Sequence, residues 1–127
     1  MSDTEQMWID QSRYDLDTAR AMLASGRYLY VMFCCQQASE KTLKAVIVRK
    51  TGALPPRIHN LLRLAEAAGL DPEQETARFL GELSAYYIQT RYPEEVSAGG
   101  QAIGEGLARE VLSKTEQFAA WVLSTGK

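Results

Sequence analysis

Glycine and proline divide this chain at intervals that suit helices and leave little room for strands. Gly26, Gly52, Pro55-Pro56, Gly69, Pro72 and Pro93 bound stretches of helix length, and β-branched residues never alternate over a strand-length run between them. The spacing predicts an all-α chain of about five helices. The first runs over about 4–25, with Trp8, Asp15, Ala19, Met22 and Leu23 near one face and Gly26 ending it. The second runs over about 27–51, with Gly52 as a left-handed cap and a loop enforced by Pro55-Pro56. A short third helix over about 56–68 has Pro56 in its first turn and Leu61, Leu62, Leu64 and Ala65 as its core face.

The fourth helix has the plainest start. Asp71 can cap, Pro72 suits the first helical position and Gln74 can complete a capping box. Phe79, Leu80, Leu83 and Tyr87 form its core stripe, and Pro93 ends it near Arg91-Tyr92. The fifth helix covers about 101–123, with Ile103, Leu107, Val111, Phe118 and Val122 facing inward and Trp121 beside them. Short connections between such helices imply an up-and-down antiparallel bundle. At 127 residues, residues 1–127 read as a single domain able to bury a self-sufficient core.

A net charge of −2 gives no global attraction to nucleic acid or anionic membrane. The charge is unevenly placed, however. Between Lys41 and Arg63 there are six cations (Lys41, Lys44, Arg49, Lys50, Arg57, Arg63) and no carboxylate. Arg49 and Lys50 are expected to complement the negative end of their own helix. The start, Met-Ser-Asp-Thr-Glu, lacks the apolar stretch of a leader, and runs such as Ala45-Val46-Ile47-Val48 are too short to span a bilayer. Cys34 and Cys35 are adjacent on a helix, where an unstrained disulfide cannot form. They read as buried thiols in a reducing cytoplasm. With His59 the only histidine, they do not make a metal site, and no cofactor is expected.

Gln37, Lys41 and Lys44, four and three apart, share one stripe of the second helix. Such a stripe is either a wet face or one wall of an anion-binding cleft. His59, in the first turn expected for the third helix, sits where the helix dipole disfavours a cation. Arg91 can cap the last carbonyls of the fourth helix or present its fork to a phosphate or carboxylate. Tyr92 can close the bundle end or stack on a base. Asp15 calls for a cationic partner, which the second helix can supply from Lys41 or Lys44. Gly99, Gly100, Gly104 and Gly106 do not form a phosphate loop, because Glu105 stands where Lys is needed. No catalytic constellation is evident, and no residue is assigned a catalytic role.

These residues together resemble a known family. Trp8, Asp15-Leu16 and Ala19, then Gly26-Arg27-Tyr28, then Phe33…Gln37-Ala38-Ser39-Glu40-Lys41…Leu43-Lys44-Ala45 are similar to the HEPN domain (higher eukaryotes and prokaryotes nucleotide-binding). His59-Asn60-Leu61 and Thr90-Arg91-Tyr92-Pro93 extend the likeness. The resemblance implies a compact helical bundle, commonly a homodimer, often paired with a minimal nucleotidyltransferase and sometimes in a toxin–antitoxin system. Some branches of the family are metal-independent ribonucleases that use an Arg, four to six residues and then a His. Here Gly52, Ala53 and Leu54 stand where that arginine would have to be, Arg91 has no histidine after it, and Arg57-Ile58-His59 is too closely spaced.

The leading expectation is therefore a non-catalytic nucleotide-binding or partner module. In it Gln37, Lys41, Lys44, His59, Arg91 and Tyr92 would take a nucleotide or another phosphate-bearing ligand. One alternative is a ribonuclease toxin with an atypical Arg/His arrangement. Another is a structural dimerisation scaffold, in which Asp15 pairs with Lys41 or Lys44 and Gln37 satisfies buried backbone groups.

Overall fold

The computed structural model describes residues 2–91 and 103–125, with side chains throughout except at 88–91. They form five helices: α1 (Asp3–Ala24), α2 (Tyr28–Thr51), α3 (Leu61–Ala67), α4 (Gln74–Arg91) and α5 (Glu105–Ser124). The architecture is the expected all-α antiparallel bundle. α2 is its centre, packed by α1 on one side and by α5, α4 and α3 around the rest. It is accordingly buried nearly all round, from Val31 and Met32 through Cys35, Ala38 and Leu43 to Val46. A helix enclosed in this way loses the one-sided apolar stripe that marks a surface helix.

The helix ends follow local chemistry. Ser2 caps α1 by accepting from the Glu5 N–H at 3.1 Å. Gly52 caps α2 at φ 68° and donates its N–H to the Val48 carbonyl at 2.8 Å. α3 begins later than expected. Asn60, not the prolines, is its cap, with Oδ1 accepting from the Arg63 N–H at 3.1 Å. His59 therefore lies just outside the helix instead of in its first turn. α4 likewise starts at Gln74, so Asp71 and Pro72 precede it. α5 starts at Glu105 behind Gly104, and Gln101, part of the expected helix, lies outside the described residues.

The buried face of α1 differs from the expected one. It runs Glu5, Ile9, Ser12, Leu16, Ala19, while Trp8, Asp15, Met22 and Leu23 flank it. The spacing is ideal for a helix, but Glu5 and Ser12 disguise it as polar. Ser12 fits because its hydroxyl donates to the Ala38 carbonyl at 3.1 Å and meets the Thr42 hydroxyl, so the α1–α2 seam is hydrogen-bonded as well as apolar. In α5 the core face adds Ala108, Leu112, Thr115 and Ala119, and leaves Leu107 and Trp121 exposed. Leu62 of α3 is also exposed.

Arg49 and Lys50 serve other helices, not their own. Arg49 Nε pairs with Glu5 at 2.9 Å, and its Nη1 donates to the carbonyls of Leu123 at 3.3 Å and Thr125 at 2.9 Å, at the end of α5. Lys50 Nζ donates to the Ala68 carbonyl at 2.8 Å, at the end of α3. The expected dipole complement is present, but it acts between helices.

Both cysteines are free. Burial pushes the Cys34 thiol up to about 11, with Asp15 adding to the shift and Lys41 opposing it. Burial takes Cys35 to about 12. A raised thiol pKa keeps the unreactive protonated form as pH rises through neutrality, so at pH 8 the thiolate fraction of Cys34 is about a hundredfold below that of an ordinary cysteine. We expect a disulfide reagent at pH 8 to label the native protein slowly and the denatured protein at once at both positions. Rapid labelling of one thiol in the native state would contradict this placement.

Candidate functional site

The polar centre of the bundle is Glu40, in the middle of α2 and almost wholly buried. Three donors converge on its carboxylate. Lys44 Nζ lies 3.0 Å from Oε2, His59 Nδ1 lies 2.9 Å from Oε1, and Gln36 Nε2 reaches Oε1 at 3.3 Å. Gln36, Glu40 and Lys44 follow one another at four-residue steps, so one face of α2 carries all three. Gln36 also donates to the His59 carbonyl at 3.1 Å, which pins the segment leading into α3. Gln37 donates to Gln36 Oε1 at 2.7 Å and satisfies a side chain, not the buried backbone expected of it in the scaffold reading.

The two ammonium groups of the expected stripe are both occupied. Lys44 is only 7% exposed, is held by Glu40 and lies 5.5 Å from the centre of the Trp8 ring. Lys41 lies 2.7 Å from Asp15 Oδ2, an ion pair by distance without hydrogen-bond geometry. That contact realises one of the two pairings open to Asp15 in the sequence. The structure thus joins Lys44, His59 and, through Gln36, Gln37 into one cluster, and ties Lys41 to α1. The side chain of Arg91 and the whole of Tyr92 lie outside the described residues.

His59 is the member of the cluster open to solvent, with its side chain 53% exposed. An ionised carboxylate can only accept, so the contact with Glu40 places the Nδ1 hydrogen inward and leaves Nε2 facing away. The ring stacks on Tyr87 at 4.8 Å between centroids, and Tyr87 stacks in turn on Phe33 at 6.1 Å. Chemically this is an oriented imidazole edge on an aromatic base, with its neighbouring charge already balanced by Lys44. The groups the described residues place against the imidazole ring are a carboxylate and a phenol ring, with no guanidinium among them. Among the described residues no group of three or more His, Cys, Asp or Glu could hold a metal ion. No helix among them is long and apolar enough to cross a membrane.

Sequence reasoning does not single out Glu40 and Gln36 as site residues. The signal is present, because a glutamate four residues before a lysine is the favoured helical pair. It is obscured by the adjacent Gln37 and Lys41, which occupy the same pattern one residue later.

The sequence profile of the HEPN domain matches residues 5–125. Among solved structures, a crystal structure of a protein from Thermus thermophilus is 30% identical, covers 96% of this chain and 98% of its own, and superposes with a TM-score of 0.81. A crystal structure described as an archaeal HEPN homologue is 26% identical, covers 99% of this chain and 100% of its own, and has a TM-score of 0.77. No curated protein matches the chain.

Proposed function

The chain belongs to the HEPN domain family, and from that premise we propose that it is a non-catalytic partner module, a preformed helical bundle that works by docking to another protein. By the resemblance, that protein is a minimal nucleotidyltransferase, in a pair of the toxin–antitoxin type. The supporting observation is the closure of the polar stripe: Lys41 and Lys44, the lysines best placed to hold a phosphate, are each neutralised by a carboxylate of the same bundle. Extracting Lys44 for a ligand would strand Glu40, and an uncompensated buried charge costs several kcal/mol, about 3–5.

A second reading keeps Gln37, Lys41, Lys44, His59, Arg91 and Tyr92 as a nucleotide-binding set. The half-exposed imidazole of His59 on its Tyr87–Phe33 stack favours it, as a platform on which a base could lie. The ribonuclease alternative has no comparable support. Isothermal titration with ATP and GTP separates the two readings. We expect no saturable heat at millimolar nucleotide. Saturable binding that weakens in Lys41→Met or in His59→Gln would overturn the partner-module reading and favour the nucleotide site.

A further inference from the structure

α4 and α5 both pack on α2, but their described backbones come no closer than 8 Å between Cα atoms and meet through side chains such as Lys114 and Phe79. A trough runs between them. At one end it opens into a hollow of about 380 Å³, walled by Phe79 of α4 and by Phe118 and Trp121 of α5, with Glu75 and Lys114 at its edge. Past Phe79 a second, smaller hollow of about 60 Å³ lies beside Tyr86 and Leu107. Trp121 is 41% exposed and Leu107 37%, although both stand on a helix whose other large apolar residues are mostly enclosed. The rim is acidic, with Glu75, Glu82 and Glu110 set against Lys114. Lys114 is already engaged, 3.0 Å from Glu110 and 5.9 Å from the centre of the Phe79 ring. Its ammonium is held above its ordinary pKa by the hydrogen bond and charge of Glu110 first, with Glu75 and Glu82 adding to the effect.

We infer that this trough is a docking surface for an amphipathic helix of a partner protein whose apolar face is flanked by lysines or arginines. The inference rests on the partner-module reading and adds where the partner docks and what chemistry it carries. Laying an apolar helical face between two helices is a recurrent mode of recognition. Aromatic walls with a carboxylate at the mouth suit a cationic side chain, which gains from the ring faces and from the charge together. A second copy of this chain seated through the same trough would set these acidic rims against each other, and like charges across an interface are penalised.

The test uses synthetic helical peptides of about 15 residues, some four turns long, one of leucine and lysine and one of leucine and glutamate. Titrated into the whole chain, the lysine peptide is expected to bind saturably and the glutamate peptide not to bind. The double reversal Glu75→Lys/Glu82→Lys, or Trp121→Ser, should weaken binding about tenfold or more. The double reversal Asp3→Lys/Asp10→Lys, which changes the net charge equally on exposed positions of α1, should leave it unchanged, and circular dichroism checks that each variant folds. No saturable binding, equal binding of both peptides, or equal loss from the α1 reversal would overturn the proposal. So would a self-associated chain that Trp121→Ser makes monomeric, since the occupant would then be another copy. Nucleotide titration probes the underlying reading independently. A chain indifferent to both peptide and nucleotide loses only the trough, whereas nucleotide binding through the stripe lysines removes the reading beneath it.

Discussion

Glu40→Ala is expected to destabilise the protein by about 3–5 kcal/mol, which lowers Tm by about 10 °C or more in a chain of this size. The cost comes less from the lost hydrogen bonds than from what stays behind. Lys44 is buried against Trp8, and with Glu40 gone its ammonium would have no counter-charge. The Nδ1 hydrogen of His59 and the amide of Gln36 would lose an acceptor at the same time. Total stability for a single domain is only about 5–15 kcal/mol, so this one substitution consumes a large share of it. The same logic predicts a recovery. Lys44→Met keeps an unbranched stem beside Trp8 and removes the charge, so Lys44→Met/Glu40→Gln should lie well above Glu40→Ala in stability. Chemical denaturation of these variants would decide. A loss below about 1 kcal/mol for Glu40→Ala would mean that water reaches the cluster and that it is not the closed polar centre described above.

Arg49→Ala is the second large effect, at about 3 kcal/mol. Glu5 is 5% exposed and has the Arg49 guanidinium beside its carboxylate. The guanidinium also serves two carbonyls at the end of α5, which no backbone N–H of that helix can reach. Arg49→Lys should rescue little, because a single ammonium on a flexible stem cannot span acceptors on two helices as a planar fork does. Glu5→Gln in the Arg49→Ala background should restore part of the loss by removing the stranded charge. Amide exchange in the last turn of α5 should speed up in Arg49→Ala. If exchange there is unchanged while stability falls, the arginine acts through Glu5 alone.

The helices themselves were legible because glycine and proline positions act locally: Gly52 adopts the conformation its place predicts, and Gly26 and Gly69 follow their helices as stops. Boundaries were less legible where two start signals competed, as at Pro56 against Asn60 and at Asp71 against Gln74. Periodicity identified α5 as helical but missed which face of α1 is buried. Glu5 and Ser12 read as surface residues until their partners, Arg49 and the Ala38 carbonyl, are brought in from α2. The polar cluster was legible in composition and misread in register. A stripe of lysines does not say which have a carboxylate within reach, and the decisive residue, Glu40, lies on the neighbouring stripe. The placement of His59 against Glu40 depends on the path of the Pro55–Asn60 connection, which carries no periodic signal.

The enclosure of α2 also bears on how the chain comes into being on the ribosome. Of the five helices α1 and α2 come first and can zip along the Ser12–Thr42 seam, but the flank of α2 that packs on α5 waits for the helix furthest from it in sequence. Until α5 leaves the exit tunnel, the α1–α2 hairpin shows oily surface to its surroundings. Completion of this fold thus awaits a pairing between stretches far apart in sequence, and such non-local pairings are the slow ones to form.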